Sequence, residues 1–209
     1  MSVYKSLNKM QLDVLREIGS IGAGNAATAL AQMINGKIDM TIPEIELMDF
    51  NEVTEFVGGA DSYVIGIYKT AKGPAPANLL FLISADRACT LLDLLMARPP
   101  NTSKPETLDE IDLSAIVEIG NIISSTYLTA LSSFTGLEFI SSLPTMAMDM
   151  AGAVIDSVLA LFGEIEDQVL LLEAQFRKDG EDLVGNFFLL PNIGSLEIIL
   201  AALEVSNDG

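Results

Sequence analysis

LREIGSIGAGNAATAL, residues 15–30, and IVEIGNIISSTYLTAL, residues 116–131, are two versions of one stretch, separated by 101 positions. The same offset, applied without a gap to residues 12–43 and 113–144, gives nine identities over 32 positions. Self-similarity at a fixed offset is the sequence signature of a repeated structural unit. The chain is therefore predicted to contain two copies of one unit, each opening on a long helix.

The two copies have the same order of predicted elements. Apolar residues at helical spacing predict long helices over about 10–34 and about 111–134. An extended segment that carries a proline follows each of them, then a shorter helix, a hairpin of two strands and a closing helix. The predicted fold class is therefore α+β, with internally duplicated helix–strand–hairpin–helix units, an antiparallel sheet, long central helices and pseudo-two-fold symmetry.

The stretch ARPPNTSKPETLDE, about 97–110, joins the two copies. Its prolines and polar residues cannot continue a helix, so it is the expected boundary. We expect a single domain over 1–209, built from repeats at about 10–98 and about 111–204.

Charge and residue content exclude several classes of protein. The net charge is −18, from 11 basic and 29 acidic residues, and such a surface repels nucleic acid and anionic lipid. Histidine is absent, which excludes Ser-His-Asp and Cys-His catalysis and the usual zinc sites, and no metal site is predicted. With one cysteine, Cys89, no signal peptide at the start and no predicted membrane span, the expected location is cytoplasmic.

The candidate site is the pair Glu118 and Asn121, which share one face of a helix because they are three residues apart. Gly120 lies between them and costs about 1 kcal/mol relative to alanine in a helix interior. Its counterpart Gly19 suggests that a large group approaches both helices closely, unless the glycines let the two helices pack together. A carboxylate and an amide can orient water towards a reactive substrate such as an aspartyl phosphate.

The doubled EIG motif, the downstream prolines and the run LREIGSIGAGNAATAL resemble the CheC/CheX/FliY family of response-regulator phosphatases. The family's site motif is Asp or Ser, three residues, Glu, two residues, Asn, twenty-two residues, Pro. The second copy fits at every position, whereas the first has a serine in place of the asparagine. The matching residues are Ser114, Glu118, Asn121 and Pro144 in the second copy, and Asp13, Glu17, Ser20 and Pro43 in the first.

The resemblance implies a phosphatase that hydrolyses the aspartyl phosphate of the response regulator CheY. Glu118 would pair with a lysine of phosphorylated CheY, and Asn121 would place the attacking water. The regulator would supply Mg²⁺, so that no cofactor is bound by this chain. Glu17 would dock similarly at the first site, but Ser20 is shorter than asparagine and predicts a weak or inactive site. Two sites match the CheC branch of the family.

The resemblance also implies a second partner, the receptor deamidase CheD. The segment MDMAGAVI, residues 148–155, resembles the family's CheD-binding region, with Asp149 as a contact. Asp149 is also predicted to be an N-cap, since a helical stretch follows it.

Two other interpretations fit parts of the sequence. A non-catalytic adaptor that sequesters CheD or phosphorylated CheY has the same fold and charge, but it has no need of the intact Glu118–Asn121 pair. The segment GSIGAGNAA, residues 19–27, is rich in glycine, yet a nucleotide-binding loop requires a strand before its glycines, and the preceding residues predict a helix.

Overall fold

Six α-helices and eight strands form the part of the chain that the structure, a computed structural model, describes: residues 7, 9–34, 36–42, 45–162, 168–178 and 181–207. The helices are α1 Lys9–Met33, α2 Val53–Phe56, α3 Ala85–Leu95, α4 Glu110–Thr135, α5 Ala151–Phe162 and α6 Ser195–Asn207. The strands are β1 Asp39–Thr41, β2 Ile45–Asp49, β3 Tyr63–Lys72, β4 Ala77–Ser84, β5 Ile140–Ser141, β6 Thr145–Met150, β7 Gln168–Lys178 and β8 Glu181–Pro191. Two 3₁₀ turns lie at Phe50–Glu52 and Pro105–Thr107.

The eight strands form one antiparallel sheet in the order β1-β7-β8-β4-β3-β5, with β2 also on β7 and β6 also on β3. At its centre β4 pairs with β8, where Phe81 lies opposite Phe187. Strands β1 and β2 lie on the hairpin of the second half, and β5 and β6 lie on the hairpin of the first. The predicted α+β class with antiparallel pairing is confirmed, while the internal duplication and its division into repeats stay predictions.

Helices cover both faces of the sheet. One face carries α1, α3, α4 and α6, whose apolar side chains form the larger core together with strand residues such as Ile67, Phe81 and Leu172. The opposite face carries α5 and the short α2, which pack Val154, Val158 and Val53 into a smaller core. The single cysteine, Cys89 on α3, is buried, and burial raises the pKa of its thiol to about 11.

The two long helices occur where the sequence predicts them, and they lie against each other on the larger core. A methyl group placed on Gly22 of α1 would lie 3.1 Å from Cα of Tyr127 on α4, so the backbones approach closely. Helix α4 begins after Asp109, whose carboxylate accepts hydrogen bonds from two backbone N–H groups, and ends at Gly136, which adopts φ +68°. Within the described ranges, no helix has the length and apolar content needed to cross a bilayer.

The joint between the two halves is held by side-chain hydrogen bonds. The buried carboxylate of Asp93 accepts from the backbone N–H groups of Thr102 and Ser103 at 2.8 and 3.0 Å. Arg98 Nη2 donates to the carboxylate of Asp112 on α4 at 2.7 Å. The first turn of α4 is therefore anchored to the segment that precedes it.

We expect the charge of Asp112 to contribute to stability at neutral pH and to lose that contribution in acid. The hydrogen bond from Arg98 holds the pKa of the Asp112 carboxyl below its ordinary value, against the opposing effect of burial. A lowered pKa in the folded state gives stability that is present above the unfolded pKa of about 3.9 and is lost as the pH falls through the folded value. Asp112→Asn should therefore lower the melting temperature at pH 7, and the difference from wild type should shrink below about pH 4.

Thermal melts between pH 2.5 and 8 measure this effect. Asp61→Asn, which changes an exposed carboxylate in a turn, is the matched control and should change the melting temperature little. A deficit in Asp112→Asn that stays constant down to pH 2.5 would show that the charge is not what stabilises the joint.

Candidate active site

Three residues of the second motif lie along one exposed face of α4. Ser114, Glu118 and Asn121 are spaced by four and three residues, so they follow the same helix face, while Ile116 and Ile119 point into the core. Glu118 is exposed and Asn121 is half-buried. Asn121 Nδ2 lies 3.4 Å from Glu118 Oε2, a long hydrogen bond that brings the amide beside the carboxylate.

A buried lysine that the sequence analysis did not identify lies beneath Asn121. Lys69 on β3 is 2% exposed, and its Nζ donates to Asn121 Oδ1 at 2.8 Å and to Ser125 Oγ at 2.9 Å. Burial lowers the pKa of the Lys69 ammonium, and the nearby Glu118 carboxylate partly offsets this effect. The sequence pattern that could have identified this lysine is strand alternation, because it places Lys69 on the same face of β3 as the buried Ile65 and Ile67.

The first motif, on α1, presents a different set of polar groups. Asp13, Glu17 and Ser20 are all exposed on α1. Asp13 lies 3.7 Å from Arg16, and the Ser20 hydroxyl donates to the Arg16 carbonyl at 2.9 Å. The single donor of Ser20 is therefore bound to its own helix. Asp13 and Glu17 also line an open depression of about 590 Å³ that includes Lys9 and Met10.

The paired glycines contact side chains of the sheet, so the explanation that they let the two long helices pack together is wrong, whereas the expected close approach to each helix is made by strand residues. A methyl group on Gly120 would lie 2.8 Å from Cβ of Ile67 on β3. A methyl group on Gly19 would lie 3.4 Å from side-chain atoms of Ile45 and Leu172. Both glycines are buried, so they let each helix lie close to the strands beneath it. The contact between the two long helices is made instead at Gly22.

The prolines of the two motifs lie outside the helices. Pro144 is half-buried and directly precedes β6, a place that suits proline because it has no N–H for the ladder. Pro43 lies outside the described residues.

Asp149 lies on β6, at the edge of the sheet, and not at a helix cap as predicted. It is exposed, its backbone is opposite Val64, and its carboxylate accepts from the N–H of Met150 at 2.7 Å. The first N–H groups of α5 are satisfied by the carbonyls of Ser62 and Ala60. The N-cap prediction is therefore wrong, because a neighbouring loop supplies the acceptors that the sequence assigned to Asp149.

Two further sequence expectations concern loops and metals. Residues 19–27 lie in the middle of α1, so their glycines do not form a phosphate-binding turn between a strand and a helix. In the part of the chain that the structure describes, no three acidic or cysteine side chains are grouped in a way that could hold a metal ion.

Comparisons with known proteins match both motif-bearing segments. The CheC-like family profile matches residues 10–47 and 111–145. The CheY-P phosphatase CheC of Bacillus subtilis (strain 168) is 33% identical over 208 residues, which cover 99% of this chain and 100% of that protein. The flagellar motor switch phosphatase FliY of the same organism is 30% identical over 127 residues, which cover 61% of this chain and 32% of that protein.

The fold is also found among solved structures. The crystal structure of Thermotoga maritima FliY aligns with a TM-score of 0.75 at 20% identity, covering 96% of this chain and 98% of that one. Because a third of the residues are identical along the whole length of this chain and of the Bacillus CheC, the chain belongs to the CheC-like family.

Proposed function

We propose that this chain is a phosphatase that hydrolyses the aspartyl phosphate of a CheY-type response regulator at the Glu118–Asn121 site. The observation that carries the proposal is this adjacent carboxylate and amide on the outer face of α4, in a chain 33% identical over its length to a CheY-P phosphatase. An acyl phosphate is already reactive, so positioning of water is sufficient chemistry for a site without histidine.

Each group of the site has one role in this reaction. Water attacks phosphorus, the bond between phosphorus and the aspartate oxygen breaks, and the products are a free carboxylate and inorganic phosphate. Asn121 holds the attacking water in line with that bond, and the regulator brings the Mg²⁺ that balances charge on the phosphoryl oxygens. The exposed Glu118 carboxylate pairs with a lysine of the regulator and fixes the register of the two proteins.

We further propose that the first site is weak. Ser20 is shorter than asparagine, and its hydroxyl hydrogen is directed to the carbonyl of Arg16 at 2.9 Å. Glu17 is exposed and retains the docking role. The first site can therefore bind a regulator without holding the attacking water.

The proposal is tested by the lifetime of phosphorylated CheY. Catalytic amounts of the protein, far below the regulator concentration, should shorten that lifetime and release inorganic phosphate over many turnovers. A non-catalytic adaptor would instead bind the phosphorylated regulator at a fixed ratio and leave the total phosphate release rate unchanged. A lifetime that does not change in a molar excess of folded protein, with CheD present, would overturn the phosphatase proposal.

We propose CheD as a second partner, bound at the end of β6. Asp149 is exposed there beside Met150, which is 52% exposed, and Tyr63, which is 49% exposed. An apolar patch with one carboxylate at its side is typical of a protein interface. This surface is on an edge strand, separate from the outer face of α4.

Reversing the charge of Asp149 should weaken CheD binding. Asp149→Arg is expected to raise the Kd for CheD about tenfold, because a like-charge contact replaces a complementary one. Isothermal titration calorimetry with purified CheD measures this, and Asp86→Arg, an exposed carboxylate on α3, is the control of equal charge. Equal Kd values for Asp149→Arg and the control would show that Asp149 is not part of the CheD interface.

A further inference from the structure

Lys69 is an unusual residue to bury, and its two partners belong to the helix that carries the candidate site. It is 2% exposed, although an ammonium group is costly to remove from water unless it is fully hydrogen-bonded. Its Nζ lies 2.8 Å from Asn121 Oδ1 and 2.9 Å from Ser125 Oγ, one turn further along α4. These are strand-to-helix bonds, so they connect the sheet directly to the amide.

The ammonium group determines which way the Asn121 amide faces. The oxygen and nitrogen of an amide are difficult to tell apart by shape alone, but an ammonium group can only donate. Oδ1 must therefore face Lys69, and Nδ2 must face outward, where it lies 3.4 Å from Glu118 Oε2. Without Lys69 the amide could rotate by half a turn about its last bond and present the oxygen instead.

We propose that Lys69 is a positioning residue that locks Asn121 so that its Nδ2 is presented to the attacking water. This inference rests on the proposed phosphatase function. The water oxygen accepts one hydrogen bond from Nδ2 and directs its remaining lone pair at phosphorus. Lys69 itself touches neither the water nor the phosphoryl group.

The first site lacks the lysine as well as the asparagine. Gly120 of α4 packs on Ile67, which pairs with Phe81, and Gly19 of α1 packs on Leu172, which pairs with Phe187. Phe81 and Phe187 are themselves opposite each other at the centre of the sheet. The corresponding strand positions, two residues further on, are Lys69 and Ala174.

Ala174 is fully buried and has no group that could hold an amide. In the same alignment Ser125 corresponds to Gly24. The triad Lys69–Asn121–Ser125 is thus Ala174–Ser20–Gly24 at the first site. All three members of the polar arrangement are absent there, which supports a joint role for them at the second site.

The kinetics of two variants, Lys69→Met and Ser125→Ala, test whether Lys69 positions the Asn121 amide. Lys69→Met keeps about the length of the side chain in a buried place and removes its donors, at some cost in stability because Asn121 Oδ1 loses its partner. It should lower kcat for phosphorylated CheY about tenfold with KM changed less than about twofold, because the amide is misoriented after docking. Ser125→Ala should lower kcat about threefold, because Lys69 loses one of its two acceptors. Ser124→Ala, whose buried hydroxyl bonds only within α4, is the matched control and should leave kcat unchanged.

The double mutant Lys69→Met/Asn121→Ala distinguishes a positioning role of Lys69 from a purely structural role. If Lys69 acts only through Asn121, then Lys69→Met should cause no further loss in an Asn121→Ala background. An equal tenfold loss in that background would overturn the proposal and assign Lys69 a purely structural role.

A second measurement does not depend on activity. The side-chain amide signals of Asn121 in a ¹⁵N NMR spectrum, identified by their loss in Asn121→Ala, should shift and broaden in Lys69→Met but not in Ser124→Ala. Unchanged Asn121 signals in Lys69→Met would overturn the proposal that Lys69 orients this amide, whatever the phosphatase assay gives. If the wild-type protein had no phosphatase activity but Lys69→Met still changed the Asn121 signals, the role of Lys69 in orienting Asn121 would stand. Only the proposed phosphatase function would then be rejected.

Discussion

Asn121→Ala is expected to lower kcat for the hydrolysis of phosphorylated CheY about a hundredfold, a loss typical of removing one preorganised hydrogen-bond group from a reacting centre. Ser20→Ala is expected to change kcat less than about twofold, since the hydroxyl donor of Ser20 is already directed to the Arg16 carbonyl. In the proposed mechanism the difference arises because the amide of Asn121, bonded to Lys69 at 2.8 Å, holds the attacking water, a role that the shorter Ser20 does not fill.

The measurement is phosphate release from CheY at saturating regulator, without CheD, for both variants and the wild type. Alanine is a good helix former, so α4 should persist in Asn121→Ala, although Lys69 loses an acceptor and the melting temperature should fall slightly. The rates are compared at a temperature well below the melting points of the variants and the wild type, so that all the proteins are folded and unfolding does not affect the measured rates. Equal losses in the two variants would refute the proposed asymmetry between the sites.

The long helices and the hairpins could be predicted from sequence because local patterns determine them. The apolar spacing that predicts a helix over about 111–134 is bounded by Asp109, which caps the first turn, and by Gly136, which adopts a left-handed conformation. The exposed face of Glu118 and Asn121 follows from the same periodicity. These features require no knowledge of what the helix packs against.

The remaining features depend on contacts between residues that are far apart in the chain. Lys69 and Asn121 are 52 positions apart, so the bond between them cannot be inferred from either local pattern. The acceptors for the first turn of α5 come from Ala60 and Ser62, and no spacing rule around Asp149 indicates them. The purpose of Gly120 likewise depends on its neighbour Ile67, on a strand of the other half.

Gly120→Ala is expected to lower the free energy of unfolding by about 2 kcal/mol, even though alanine favours a helix interior by about 1 kcal/mol. The added methyl would lie 2.8 Å from Cβ and 2.9 Å from Cγ2 of Ile67. These atoms are close to the backbone of a β-branched residue, so they cannot move aside as the end of a flexible side chain can. Helix α4 must therefore move away from β3.

The same displacement should reduce activity, because it lengthens the 2.8 Å bond from Lys69 to Asn121 Oδ1. Gly24→Ala is the matched control: it lies within α1 on an exposed face, and apart from its chain neighbours and the backbone of its own helix no atom lies within 4 Å of the added methyl. That variant should gain about 0.5–1 kcal/mol from helix propensity alone. Urea unfolding of both variants compares their free energies of unfolding. If Gly120→Ala were as stable as Gly24→Ala, the close approach of α4 to Ile67 would not be needed to hold Asn121 above Lys69.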